Sequence, residues 1–148
     1  MFEAIRKVNK NMQSITAARV LKILIDRPEF QDLIIELNTG DQLFKKGIDS
    51  KGISLGVYAP FTIGEKKKKN QPTDRVTLKD TGDFYKTWTV MVNSNGDIII
   101  EADGDKDDKN LMDVYGEDIV GLIDKNLQIL IDEIEDKLPE LVETLLFA

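Results

Sequence analysis

The C-terminal stretch constrains this chain most. Between Asp118 and Phe147, Leu127, Leu130, Ile131, Ile134, Leu138, Leu141, Val142 and Leu145 recur at three- and four-residue steps. That spacing lays them along one stripe of a helix. A striped helix is stable only when another layer covers the stripe. Pro139 falls inside the pattern and predicts a kink or a split, because proline lacks the backbone N–H and its ring crowds the preceding turn.

The covering layers are written upstream. Phe2 to Leu24 predicts a helix, with Ile5, Val8, Met12, Ile15, Ala18 and Leu21 on its apolar side and Ile25 continuing the pattern. Asp26-Arg27-Pro28 ends it, since the residue before proline is driven out of helical geometry. A second helix is predicted over Glu29 to Lys46. Phe30, Leu33, Ile34, Leu37, Leu43 and Phe44 form its stripe, with acids in the first turn and Lys45-Lys46 in the last. Gly47 suits the position after its end. Gly40 inside it costs about 1 kcal/mol and predicts a kink.

The middle of the chain is punctuated by turns. Gly47, Gly52 and Gly56 predict a loop with a short extended piece near Leu55 to Tyr58, and Thr62 fits the N-cap of a short helix carrying Glu65 to Lys69. Trp88 to Val92 and Ile98 to Ala102 flank Asn93-Ser94-Asn95-Gly96, a β-hairpin signal with Asn95-Gly96 as its preferred dipeptide. Asp103 to Lys109 reads as an acidic turn, and Leu111 to Tyr115 as a helical turn before Gly116. The expected fold is a single α+β domain over residues 1–148. A small antiparallel hairpin at about 88–102 is flanked by a helical N-terminal segment, residues 1–47, and by a helical C-terminal segment, residues 105–148, with its long amphipathic helix. The loop, short-helix and hairpin core is 48–104.

Composition removes whole classes of chemistry. The chain has no histidine and no cysteine. Histidine-based triads, zinc hydrolases, thiolate nucleophiles and disulfides are therefore excluded. The net charge of −7 disfavours a dedicated nucleic-acid binder. Met1 to Lys10 has Arg6, Lys7 and Lys10 with no apolar run behind them, so no secretory leader is expected, and no run of about 18 apolar residues predicts a membrane span.

Several motifs come close and fail. Gly47 to Ser54 nearly matches a phosphate-binding loop, but Ile53 stands where the lysine belongs. Asp103, Asp105 and Asp107 begin like a calcium loop, yet Asp108 replaces the glycine and Val114 the closing acid. A carboxylate pair for glycoside hydrolysis drawn from Asp80, Asp83, Glu101 and Asp103 has nothing to set its spacing. Lys66, Lys67, Lys68 and Lys69 are a possible DNA or partner contact, but no aromatic interleaves them to stack bases. Phe84, Tyr85 and Trp88 read as core packing, with an interface anchor as the alternative. Leu145-Leu146-Phe147 is unusually apolar for a chain end.

One stretch has a familiar order. Gly52-Ile-Ser-Leu-Gly-Val-Tyr-Ala-Pro-Phe-Thr62 precedes the lysines, and Val76-Thr-Leu-Lys-Asp-Thr-Gly-Asp-Phe-Tyr-Lys-Thr-Trp88 follows before a strand. This order resembles the virion-morphogenesis, or tail-completion, proteins of the head–tail neck of tailed bacteriophages. It is also similar to proteins of phages infecting Bacteroidetes, crAss-like phages among them. The likeness covers roughly residues 47–102, with Leu78-Lys79-Asp80-Thr81-Gly82-Asp83-Phe84 its most specific stretch. Thr87-Trp88 departs from the family's serine and β-branched residue.

The resemblance implies a structural virion protein made in the host cytoplasm. It would be an oligomeric neck or tail connector, a ring of six or twelve subunits joining portal to tail and passing genomic DNA without sequence specificity. No enzyme activity, cofactor, metal or membrane contact is expected. Tyr58, Thr62, Leu78, Asp80, Gly82, Phe84 and Trp88 are expected to set the fold and the subunit contacts. In the turn, Asp80 is expected to accept backbone N–H bonds and Gly82 to take positive φ. Two other classes remain open: a small acidic cytoplasmic adaptor or inhibitor of a basic protein, and a Mg²⁺-dependent phosphoryl-transfer enzyme using Asp103, Asp105 and Asp107.

Overall fold

A computed structural model describes residues 2–148. The fold is α+β. Among the described residues it contains seven α-helices, one π-helical stretch, a two-stranded antiparallel sheet and a second, two-residue ribbon.

The predicted N-terminal helix is two helices, α1 (Phe2–Ser14) and α2 (Ala17–Ile25). Thr16 separates them. It is extended, and its hydroxyl oxygen accepts the Arg19 N–H at 3.1 Å, which caps α2. The break at Pro28 stands as expected: Arg27 is extended and Pro28 opens α3 (Pro28–Ile35). Around Gly40, from Glu36 to Lys46, the helix widens to π geometry. Gly47 ends it in the left-handed region at φ 61°, and a Cβ there would sit 2.8 Å from the Val76 carbonyl oxygen. The N–H groups of Gly47 and Ile48 turn back to the Leu43 and Gln42 carbonyls.

The segment 55–59 is not a strand; only an isolated bridge joins Ile48 and Ser54. The lysine helix α4 (Pro60–Lys68) starts two residues before the expected cap. Pro60 is preset for the first helical position, so Thr62 lies inside the first turn. The short α5 (Asp83–Lys86) leads into β1 (Thr89–Val92), which pairs with β2 (Ile98–Glu101). The predicted hairpin is present, but its turn is a three-residue loop. Gly96 N–H bonds to Asn93 O at 3.1 Å with Gly96 at φ 85°. The Asn93 carboxamide accepts the N–H groups of Asn95 and Asp97, which favours this longer turn over a two-residue one.

The acidic turn is itself a small ribbon, β3 (Asp105–Lys106) against β4 (Lys109–Asn110). Asn110 then caps α6 (Leu111–Tyr115). The last helix begins later than expected. A 3₁₀ turn (Glu117–Ile119) and Gly121 at φ 138° precede α7 (Asp124–Phe147). α7 passes Pro139 without splitting. Pro139 and Glu135, whose carbonyl loses its partner, are both exposed, so water reaches that carbonyl.

Two apolar cores result. The first joins Val20, Leu24 and Ile25 of α2, Phe30 and Ile34 of α3, Val90 and Val92 of β1, and Leu130 and Leu141 of α7. The second gathers Leu43, Val76, Leu78, Phe84, Trp88, Leu111 and Ile119. Ile35 and Ile100 pack against both. Along α7, Ile134, Leu138 and Leu145 join the first core, whereas Leu127 and Ile131 are exposed. α1 buries none of its residues. It rests on α7, with the Asn11 side chain donating to the Leu146 carbonyl at 2.9 Å, and Ile5 and Met12 face solvent rather than core.

Candidate functional site

The resembling stretch builds one site. Val76, Thr77 and Leu78 run buried without a strand partner, so side chains must satisfy their backbone. The Thr77 N–H donates to the Tyr58 hydroxyl at 2.9 Å, and the Tyr85 hydroxyl donates to the Thr77 carbonyl. From α4, Lys66 Nζ donates to the Lys79 carbonyl at 2.9 Å. Gln71 Nε2 donates to the Asp80 carbonyl at 2.7 Å. These bonds hold Leu78, a buried leucine, at φ 58°. That conformation costs roughly 1–2 kcal/mol for a residue with a Cβ.

The following turn departs from expectation in one respect. Gly82 takes φ 88°, as expected. The Asp80 carboxylate, however, accepts from Lys69 Nζ at 2.7 Å rather than from backbone N–H groups; the Thr81 hydroxyl accepts the Asp83 N–H instead. Phe84 lies below, edge-on to Trp88 at 5.6 Å between ring centroids. Leu78, Phe84 and Trp88 are thus core residues, and Trp88 Nε1 has no hydrogen-bond partner among the described residues. All three are buried in the second core, so Phe84 and Trp88 lie beneath the surface expected of subunit contacts, while Leu78 also lines the recess above the turn.

Above the turn lies a half-open recess of about 210 Å³. Lys66, Lys69, Lys79, Lys106 and Lys109 line it, opposed only by Glu65 and Asp80, with the rings of Tyr58, Phe61 and Tyr115 on its walls and Thr62 at its edge. The chain is acidic overall, yet five ammoniums meet two carboxylates here. The four consecutive lysines divide by role. Lys66 is 7% exposed, with its ammonium 4.8 Å from the Tyr58 ring centroid; Lys69 holds Asp80; Lys67 and Lys68 lie outside the recess, facing solvent. Aromatic rings absent from the lysine run in sequence are supplied by the fold.

Charge and burial tune the recess. The Lys69 hydrogen bond, helped by the charges of Lys106 and Lys66, holds Asp80 below the usual carboxylate range despite some desolvation. Burial alone would raise the Tyr58 phenol. Its bonds to Thr77 and the Lys66 charge outweigh that and lower it. Burial raises Tyr85 and Tyr115, each with a further contribution from Tyr58.

The rejected motifs look different in three dimensions. In the glycine loop, Asp49 occupies the place a phosphate would need: its carboxylate accepts the N–H groups of Lys51 and Ile53, each at 2.9 Å. Asp103, Asp105 and Asp107 border a second recess of about 270 Å³ beside the turn. Asp103 accepts the Asp105 N–H and Asp105 accepts from Asn110, and among the described residues no group of three or more acids is placed to hold a metal. No helix of the described residues is long and apolar enough to cross a membrane.

Two features had no local signal. Lys79, Lys106 and Lys109 reach the recess from segments that read as turns. A buried amide clasp also joins the π-helix to the segment before α7. Asn38 donates to Ile119 O at 3.0 Å and accepts from Gly121 N at 2.7 Å. Gln42 donates to Gly121 O at 2.8 Å and accepts from Ile123 N at 2.9 Å. Asn126 closes it through Leu37 O, Asp41 and Gln42. Burial would raise Asp41, but its bonds to Asn126 and Lys46 bring it below the usual range.

In comparisons with models of protein families, with curated proteins and with solved structures, the chain finds no match.

Proposed function

We propose that the chain is a structural virion protein of a tailed bacteriophage, a non-catalytic neck or tail connector that works as a closed ring between portal and tail. The observation that carries this reading is where the large apolar side chains are left uncovered. On α1, Phe2 is 73%, Ile5 51% and Met12 57% exposed, and Phe147 of α7 is exposed as well. A separate set, Ile53, Val57 and Phe61, stands on the loop and helix start over residues 53–61, with Phe61 lining the lysine recess. The first set lies on α1, which packs on α7 outside the first core, and at the end of α7; the second lies on the loop and helix start around the second core. A ring needs two different patches per subunit, because each head-to-tail contact joins unlike surfaces. Uncovered apolar groups of this size mark surfaces that are covered in use.

The motif order from Gly52 to Trp88 supports the neck assignment. So does what the turn does: it fixes the strand entry at Trp88 and the lysine helix relative to each other, which a subunit under mechanical load needs. The test is the mass of the full chain in solution by light scattering across a concentration series. Multiples of 16.7 kDa are expected, rising with concentration to one limiting size. A monomer at every concentration, including the highest, overturns the ring.

A further inference from the structure

We infer that the lysine recess is the socket for the acidic face of α7 from a second copy of this chain, so that the head-to-tail contact of the ring is electrostatic at its centre. This rests on the ring proposed above and names its two surfaces.

The recess has unbalanced charge. Lys106 and Lys109 are register partners on the β3–β4 ribbon, directly opposite each other. Like charges so placed repel. Neither ammonium has a hydrogen-bonded or ion-paired partner among the described residues, and both line the recess. Lys66 is held by neutral acceptors, Gln71 Oε1 and the Lys79 carbonyl, and Asp80 is already engaged by Lys69. The site is therefore short of anions.

Its size selects the kind of anion. Sites for drug-sized ligands run to about 300–1,000 Å³. A recess of about 210 Å³ open to one side admits one or two side chains, with exposed Phe61 at its mouth. A carboxylate presented from a rigid surface fits this space.

The same chain carries that surface. On α7, Asp132, Asp136, Glu140 and Glu143 step by four, four and three residues, one line along the helix facing away from the core residues Leu130 and Leu141. All four are exposed, and their polar contacts are slight: Asp132 accepts from Gln128 and Asp136 lies 3.7 Å from its neighbour Lys137. Exposed Ile129, three residues before Asp132, lies on the same line and adds apolar area to this face. The two surfaces are unlike, as a heterologous contact requires, and they are opposite in charge, which fixes register and partner.

A charge-swap experiment on the full chain tests this, read as mass by light scattering at a concentration where the unaltered chain is assembled. Lys106→Glu with Lys109→Glu should return the mass to 16.7 kDa, as should Asp136→Lys with Glu140→Lys. All four together should restore the multimer, and circular dichroism on each variant checks that it is folded. Raising salt should also dissociate the unaltered multimer. If the chain assembles but the reversals leave its mass unchanged, or the combined variant stays monomeric, the socket is wrong while the ring survives. A folded chain that never assembles removes both. If the lysine reversals leave assembly intact but abolish retention of a labelled single-stranded oligonucleotide, the socket serves a nucleic-acid backbone and the proposal is overturned.

Discussion

The two cores hold the chain together in different ways. Around the first, α2, α3, β1 and α7 meet through apolar side chains, and their backbones are satisfied within helices or between strands. Around the second, much of the chain is irregular. Thr77 is locked by Tyr58 and Tyr85, Lys79 and Asp80 by Lys66 and Gln71, and residues 119–123 by Asn38 and Gln42. The first core is a matter of volume and area. The second depends on single hydrogen bonds made by single side chains. Its irregular turn at Leu78 brings Lys79 into one recess with the lysines of α4 and of the β3–β4 ribbon.

Truncation in the first core should show the largest effect. Leu24→Ala removes a fully buried side chain between helices. It should cost about 2–5 kcal/mol in urea unfolding. A cost below about 1 kcal/mol would mean that the first core is not tightly packed.

The contrast is sharpened at the clasp. Gln42→Leu keeps the volume but leaves the Gly121 carbonyl and Ile123 N–H without partners. An unsatisfied buried group costs about 1–3 kcal/mol. Hydrogen exchange should speed at Ile123 and its neighbours while α2 stays protected; equal acceleration in both places would merge the two regions into one cooperative unit.

Next in size is Tyr85→Phe, which removes the donor to the Thr77 carbonyl. It should cost about 1 kcal/mol at neutral pH. The phenol's pKa in the fold lies above its ordinary 10.0 because of burial. Its neutral form is therefore favoured by folding, and that contribution is complete below pH 10.0 and lost as pH rises toward the folded value. The variant should lack that component of the alkaline destabilisation, as denaturant titrations at about pH 8 and about pH 11 would show.

Asp80→Asn should have the smallest effect. The pair with Lys69 is half exposed, so solvent screens it and little stability is at stake. Asp80 is depressed below its ordinary 3.8, so its contribution is present above that pH and lost as pH falls further. Thermal unfolding of the variant and of the unaltered chain should differ slightly at neutral pH and converge in acid.

This contrast also explains what the sequence revealed. The break at Pro28, the end at Gly47 and the Asn93–Gly96 turn are local patterns, and all are present in the fold; the α7 stripe is present from Ile134 to Leu145, while Leu127 and Ile131 of its first half are exposed. Thr16 was hidden because the apolar steps run on across it. The clasp joins residues 79 to 89 positions apart, which no window covers. Lys106 and Lys109 sit among aspartates and read as components of a solvated turn. Of the recess, Tyr58, Thr62, Lys66, Lys69, Leu78 and Asp80 were legible, through the resembling motif order and the lysine run. Lys79, Phe61 and Tyr115 were not, because their place depends on the positive-φ turn at Leu78 and on where α6 ends.

The most direct measurement is electron-microscope imaging of the full chain at the concentration where light scattering reaches its limiting mass. The expected particle is a closed ring in which each subunit's β3–β4 ribbon abuts the outer face of the next subunit's α7. Two-fold dimers joined through identical surfaces, or only monomers, would contradict it.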